Sequence, residues 1–203
     1  MRFYLHFLFI LIIQTHTYSQ SRFNFSNDTT YKVHNSKLIN LISTSIPEKS
    51  EFQIRFWHHD NNVNIVRHDY LLLATFSNSS WHFQKFTFAD KYSSNIEVIK
   101  DNATVRNFDS LFNDLLSDSL YSIVSWSDFK VQQEAKKRGI GGLAYVSEGG
   151  IDYTVELLTP KSRRSFTLNC PNSYFKFYGL SELKNPIKII TVLLKIWNGA
   201  TPC

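Results

Sequence analysis

The clearest alternation of apolar and polar positions lies in the last third of the chain. Apolar side chains occupy every second position of residues 151–157 and again of residues 166–170. Because a period of two gives a half-buried strand one apolar face, both segments are predicted to be strands of a hairpin. The loop at residues 159–162 between them would pair Val155 with Phe166 on the apolar face.

Four further strands are predicted in the first half of the chain, where apolar residues alternate or form short runs bounded by turn residues. They lie at residues 52–56, 70–76, 81–88 and 96–99. The run at 70–76 is apolar almost throughout, as expected of a central strand. Two more segments, 63–66 and 121–126, leave strand and loop both open.

Helical spacing is clearest at residues 108–116, where the apolar side chains form one stripe. A second helix is predicted at 186–198, because Pro186 suits the first turn of a helix. Shorter helical patterns lie at 38–45 and 127–137. This order of elements predicts an α+β fold, with an antiparallel sheet of roughly five to seven strands packed by two or three helices.

The first residues have the three parts of a secretory signal peptide. A positive charge precedes an apolar stretch at residues 5–13 that is too short to span a bilayer, and small residues before Gln20 suit a cleavage site. The sequence therefore predicts a signal peptide at 1–19 and a single α+β domain at 20–203. We expect a secreted or periplasmic product that is not an integral membrane protein.

The chain carries a formal net charge of +5, and its basic residues form two small clusters. One contains Lys161, Arg163 and Arg164 at the predicted hairpin loop, and the other is residues 136–138. Neither cluster is dense enough to predict nucleic-acid binding, and each suits a solvated turn or a helix end. No nucleic-acid partner is expected.

Two cysteines, Cys170 and Cys203, follow the predicted signal peptide. An oxidising destination favours a disulfide between them. Such a bridge would tie the C-terminal tail to the second strand of the hairpin and would contribute about 3–4 kcal/mol. The alternative is two unpaired thiols, one buried and one at the chain end.

A histidine-rich patch surrounds the end of the first predicted strand. His58 and His59 are neighbours on that strand, so their side chains point to opposite faces and cannot both bind one ion. A turn at residues 61–62 would instead bring His58 close to His68, with Asp60 beside them, and these three residues are the predicted metal ligands. The alternative is a polar strand end with solvated imidazoles, because the spacing matches no zinc motif.

The hairpin carries the pattern Gly150-x-x-Tyr153-x-x-Glu156, and Pro171-x-x-Tyr174 and an amphipathic C-terminal helix follow it. This combination resembles the C-terminal half of uncharacterised small exported proteins of diderm bacteria. A second glycine precedes the motif here, where an aspartate often stands in that group. The resemblance implies an exported bacterial protein and no particular activity.

The sequence contains no motif of nucleophilic or acid–base catalysis. A G-x-S-x-G elbow is absent, and the acidic residues of the hairpin lie on the polar face of a strand, where acids are ordinary. No cofactor is predicted. We therefore expect a non-enzymatic binding or interaction module that contacts a protein or a cell-envelope component, an inhibitor or immunity protein being one form. Its expected binding residues are the exposed aromatic and basic side chains Trp57, Trp81, Arg163 and Arg164.

Two other functions stay open. A small metal-dependent hydrolase would use His58, Asp60 and His68 as its metal site. A structural protein of the cell envelope would instead associate with itself.

Overall fold

The structure of the protein is a computed structural model that describes residues 23–140 and 151–197, except residues 30, 48, 61–66, 91–95, 104, 106 and 118. These residues form one sheet of six strands, five α-helices and two short 3-10 turns. The strands are β1 (Phe52–Asp60), β2 (Arg67–Ser77), β3 (Ser80–Asp90), β4 (Ile96–Ala103), β5 (Ile151–Leu158) and β6 (Arg163–Asn169). The helices are α1 (Ser36–Leu41), α2 (Phe108–Ser117), α3 (Asp128–Lys137), α4 (Pro171–Tyr178) and α5 (Lys184–Trp197).

The sheet is antiparallel throughout, with the strand order β4-β3-β2-β1-β5-β6. The first four strands follow one another as hairpins, and β5 then returns to pair with the other side of β1. Val155 of β5 lies opposite Phe166 of β6, as the hairpin pattern predicts. The predicted α+β class and the predicted sheet of five to seven strands are confirmed, whereas the described residues form five α-helices and not the predicted two or three.

One face of the sheet, here called the helical face, carries most of the apolar core. Phe52, Ile54 and Phe56 of β1 point to this face and pack in one cluster with the buried side chains of α2 and α5. The buried residues of α5 are Ile189, Ile190, Leu193 and Leu194. The helix predicted at the C-terminus is therefore a core element.

The opposite face is covered as well, by residues 31–46 of the N-terminal segment (residues 23–46), whereas Phe23 and Phe25 of this segment pack on the helical face. Leu38 and Ile42 from α1 and its end pack on Trp57 and on apolar side chains of β2 and β3. Because both faces are covered, every residue from Leu71 to Phe76 in β2 is buried, which explains its nearly continuous apolar run.

Helix α4 is the element that the sequence pattern did not predict. Pro171 stands at its start, and Gly179 follows its last residue with a φ of 65°. The main-chain N–H of Gly179 donates to the carbonyl oxygen of Phe175, which closes the helix in the left-handed conformation that glycine favours. The proline and the glycine are the sequence signal for this helix, and its buried residues Pro171, Tyr174 and Tyr178 have helical spacing.

Several predictions fall outside the described residues. The predicted signal peptide at 1–19 and the segment at 63–66 are among them. Among the helices of the described chain, none combines the length and the apolar character needed to cross a bilayer.

Cys170 lies at the end of β6, where it is buried beside β5. Its main-chain N–H donates to the carbonyl oxygen of Ile151 at 3.1 Å, and the N–H of Ile151 lies 3.3 Å from its Sγ atom. Cys203 lies outside the described residues. The Cys170–Cys203 disulfide therefore stays a prediction.

Candidate functional site

Strand β6 forms one edge of the sheet, and two other parts of the chain cover portions of its outer side. At the start of β6, the N-terminal segment provides the cover. The main-chain N–H of Asp28 donates to the carbonyl oxygen of Arg163 at 2.8 Å, and the N–H of Arg163 donates to Asn27 Oδ1 at 2.9 Å.

At the other end of β6, the loop before α3 provides the cover. The main-chain N–H of Trp126 donates to the carbonyl oxygen of Thr167 at 2.9 Å, and the N–H of Asn169 donates to the carbonyl oxygen of Trp126 at 3.4 Å. The N–H of Thr167 donates to Ser125 Oγ at 3.1 Å.

Between these two covers, the outer edge of β6 is left open at Ser165. In an antiparallel strand every second residue directs both its N–H and its C=O to the same side. Arg163 and Thr167 direct theirs outward, so Ser165 does as well. Within the part of the chain that the structure describes, no group hydrogen-bonds to the main-chain N–H or C=O of Ser165.

A cavity of about 380 Å³ lies at this opening. It is mainly polar, with an apolar wall formed by Ile123 and Val124, of which Val124 is 49% exposed. Its lining residues are Asn27, Asp28, Thr29, Ile123, Val124, Ser125, Arg164 and Ser165. The volume falls within the range of small-molecule sites, about 300–1,000 Å³.

The cationic group of this cavity is the half-buried guanidinium of Arg164. Its Nη1 donates to Ser26 Oγ at 3.2 Å, and its Nη2 donates to the carbonyl oxygen of Ile123 at 2.9 Å. Its buried Nε has no hydrogen-bond partner. No carboxylate among the described residues forms an ion pair with Arg164. A charge withdrawn from water without a counter-charge is costly, so the cavity favours an anionic group beside Arg164.

A second polar cluster lies between the N-terminal segment and the face opposite the helical face. Its centre is Glu156 of β5, whose carboxylate is fully buried. Oε1 accepts from the hydroxyl of Tyr31 and from the main-chain N–H of His34, both at 2.8 Å. Oε2 accepts from Trp57 Nε1 at 3.0 Å and lies 4.0 Å from Arg55 Nη1. Burial and then the charge of Glu156 raise the pKa of Tyr31, so this hydroxyl remains a donor.

The same cluster continues through two imidazoles. Nε2 of His34 faces Nε2 of His59 at 2.5 Å, Nδ1 of His59 contacts Asp69 Oδ1, and Asn35 Nδ2 donates to Asp69 Oδ2 at 3.4 Å. In the described chain, no hydroxyl or thiol hydrogen-bonds to either imidazole. The geometry therefore suits the attachment of the N-terminal segment to the sheet.

The attachment of the N-terminal segment to the sheet through His34 should make the free energy of unfolding depend on pH. Burial and then the neighbouring His59 lower the pKa of His34 from its ordinary 6.5 to about 4. As the pH falls, His34 takes up its proton at a higher pH in the unfolded chain than in the folded chain. The free energy of unfolding is therefore highest above pH 6.5 and decreases as the pH falls towards 4. We expect a loss on the order of 2 kcal/mol once solvent screening of the half-buried ring is allowed for.

Urea unfolding between pH 4 and 7 checks this expectation, with His34→Asn as the comparison. The wild-type protein should lose more stability over this interval than the variant, since both share every other titrating group. An identical pH dependence in the two proteins would show that His34 does not titrate with a depressed pKa.

The predicted binding residues lie in four different environments. Trp57 is fully buried beneath the N-terminal segment, so its predicted exposure is wrong, because the second face of the sheet is covered. Trp81 packs edge-on against Phe108 with ring centroids 4.6 Å apart. Arg163 is exposed at the hairpin loop, and Arg164 alone of the four lines the cavity.

The three predicted metal ligands lie in β1 and β2. The His58 ring stands on the helical face, 5.4 Å from the ring centroids of both Tyr70 and Tyr153, whereas His59 points to the other face, as the strand period predicts. The side chains of Asp60 and His68 lie outside the described residues. Among the described side chains, no group of three or more His, Cys, Asp or Glu residues is placed to hold a metal ion, and the metal site stays a prediction.

Sequence reasoning missed Ser165 and the polar cluster around Glu156. The opening at Ser165 is a property of the main chain, so no side-chain pattern marks it. The sequence feature that could have indicated the cluster is the pair Trp57 and His59, which lie on the same side of β1. Both rings carry N–H groups or nitrogen atoms that need a polar partner in the segment that covers this face.

Comparison of the chain with models of known protein families finds no match, and a comparison with curated proteins finds none either. The resemblance to small exported proteins of diderm bacteria therefore stays a prediction.

Proposed function

We propose that this protein is a non-enzymatic binding module, secreted or periplasmic, that binds a small carboxylate-bearing ligand beside Arg164. The observation that carries the proposal is the half-buried guanidinium that lines a cavity of about 380 Å³ and has no acidic partner among the described residues. The natural ligand would belong to a protein or to a component of the cell envelope.

The hydrogen bonds of Arg164 leave room for such a ligand. Each Nη atom carries two hydrogens, and Ser26 and Ile123 accept one from each. The second hydrogen of each Nη atom is left for a carboxylate, whose planar oxygens match the guanidinium fork. Because Ser26 and Ile123 also hold the guanidinium in place, less side-chain entropy is lost when the ligand binds.

The composition of the lining favours a carboxylate over a phosphate. Asp28 also lines the cavity, and its negative charge would repel a multiply charged anion more strongly than a singly charged one. The other polar groups of the lining are amides and hydroxyls, which bind neutral polar parts of a ligand.

Titration with acetate tests the proposal, and acetamide provides a neutral probe of the same shape. We expect the wild-type protein to bind acetate in preference to acetamide. In Arg164→Gln the affinity for acetate should fall about tenfold or more, since a hydrogen bond to a charged group contributes about 1.5–3 kcal/mol.

The matched control is Arg163→Gln, which removes the same charge from the adjacent, exposed position. This variant should bind acetate much as the wild-type protein does. Equal losses in the two variants would mean that only the general charge of the loop matters, and unchanged binding in Arg164→Gln would reject the site.

A further inference from the structure

We infer that the ligand is the C-terminal end of an extended peptide, which pairs its main chain with Ser165 and places its carboxylate against Arg164. This inference rests on the proposed carboxylate site and adds the chemical class of the ligand. Two adjacent residues of β6 supply the two halves of the recognition, the main chain of one and the side chain of the other.

The main chain of Ser165 supplies the first half. Its outward N–H and C=O have no hydrogen-bond partner within the described residues. A simple carboxylate could use only the N–H group. One residue of an extended peptide satisfies both groups at once, because it presents a C=O and an N–H on the same side, as in strand addition to a sheet edge.

The opening at Ser165 is short, which favours the end of a peptide over a long strand. Asp28 covers the edge at Arg163, and Ser125 covers it at Thr167. These two covered residues are four positions apart, which corresponds to about 13 Å of strand at roughly 3.3 Å per residue. A long strand would collide with the covers on both sides, whereas a peptide that ends in the opening meets a cover on one side only and leaves the edge there.

The position of Arg164 supplies the second half. It directly precedes Ser165 in β6 and lines the same cavity, so a terminal carboxylate one residue from the paired position lies within its reach. Val124 presents an exposed apolar side chain at the same cavity. The wall formed by Val124 and Ile123 therefore favours an apolar side chain on the terminal residue of the peptide.

Three short peptides test the inference on the unaltered protein. The first is N-acetyl-alanyl-valine with a free carboxylate, the second is its C-terminal amide, and the third is the free acid with its alanine nitrogen methylated, since the alanine is the residue that would pair with Ser165. We expect the free acid to bind at least about tenfold more tightly than acetate, because the main-chain hydrogen bonds add to the ion pair. The amide and the methylated peptide should each lose about that factor.

The matching change in the protein is Ser165→Pro, which removes the outward N–H. Proline is tolerated on edge strands where the N–H faces outward, and a thermal melt shows whether the variant folds. It should keep its Arg164-dependent binding of acetate and lose the added affinity for the free-acid peptide. If the variant does not fold, the methylated peptide still decides the question on the wild-type protein.

The outcomes separate the two proposals. If acetate binds through Arg164 but the methylated peptide binds as tightly as the free acid, main-chain pairing is wrong and the carboxylate site stands. If neither acetate nor any peptide binds, the carboxylate site and the inference built on it both fail.

Discussion

Replacing Glu156 with alanine is expected to lower the free energy of unfolding by about 3–5 kcal/mol, the range for removing one partner of a buried ion pair. The carboxylate is fully buried. Its removal would leave the hydroxyl of Tyr31, the main-chain N–H of His34 and the indole N–H of Trp57 without an acceptor. The Arg55 guanidinium would also lose the nearest negative charge. Unsatisfied buried donors carry their full desolvation penalty.

The matched control for this prediction is Glu182→Ala. Glu182 also contacts an arginine, Arg138, but both side chains are exposed, and exposed ion pairs contribute little to stability. Urea unfolding at neutral pH compares the two variants with the wild-type protein. A small effect for Glu156→Ala, similar to that of Glu182→Ala, would mean that the cluster does not hold the N-terminal segment on the sheet.

The second large effect is expected for Phe112→Ala in α2, at about 3–5 kcal/mol. The Phe112 ring is fully buried on the helical face. It lies 5.6 Å from the ring centroid of Phe52, 5.1 Å from that of Trp81 and 5.8 Å from that of Phe23. Alanine would leave a cavity among rings that belong to β1, β3 and the N-terminal segment. Because these are three separate elements, their rings cannot move together to fill the cavity.

Asn113→Ala is the control for Phe112→Ala. Asn113 is the next residue of the same helix and is exposed, and alanine favours helices, so its stability should stay close to that of the wild-type protein. Thermal unfolding of both variants measures the difference. Equal melting temperatures would mean that α2 does not pack on the sheet through Phe112.

Local periodicity predicted the strands and helices whose apolar and polar positions match their buried and exposed faces. Alternation at residues 151–157 and 166–170 predicted both strands of the hairpin and their register, including the pairing of Val155 with Phe166. The stripe at 108–116 predicted α2 almost to its ends. In each case, residues close in sequence share one face, so the pattern carries the information.

The covering of the second face could not be predicted in the same way. Glu156 looks like an ordinary acid on a polar strand face, because its partners Tyr31 and His34 lie 125 and 122 positions away in the sequence. Trp57 was expected to be exposed for the same reason. A local pattern shows which residues share a face, but it does not show which distant segment covers that face.

The candidate site was predicted in part. Arg164 was among the expected binding residues, because a basic cluster at a hairpin loop is visible in the sequence. The opening at Ser165 depends on where Asn27 and Ser125 stop covering the edge of β6. That position is set by two distant segments, and it leaves no trace in the identity of residue 165.

Whether a carboxylate binds in the cavity beside Arg164 is decided by an NMR titration of the nitrogen-15-labelled protein with acetate. We expect the amide shifts that change to be concentrated at residues 27–29, 123–125 and 164–165, which line the cavity. In Arg164→Gln the same changes should need at least about tenfold more acetate. Shift changes confined to other parts of the chain, or the same changes in Arg164→Gln at the same acetate concentrations, would contradict the proposed site.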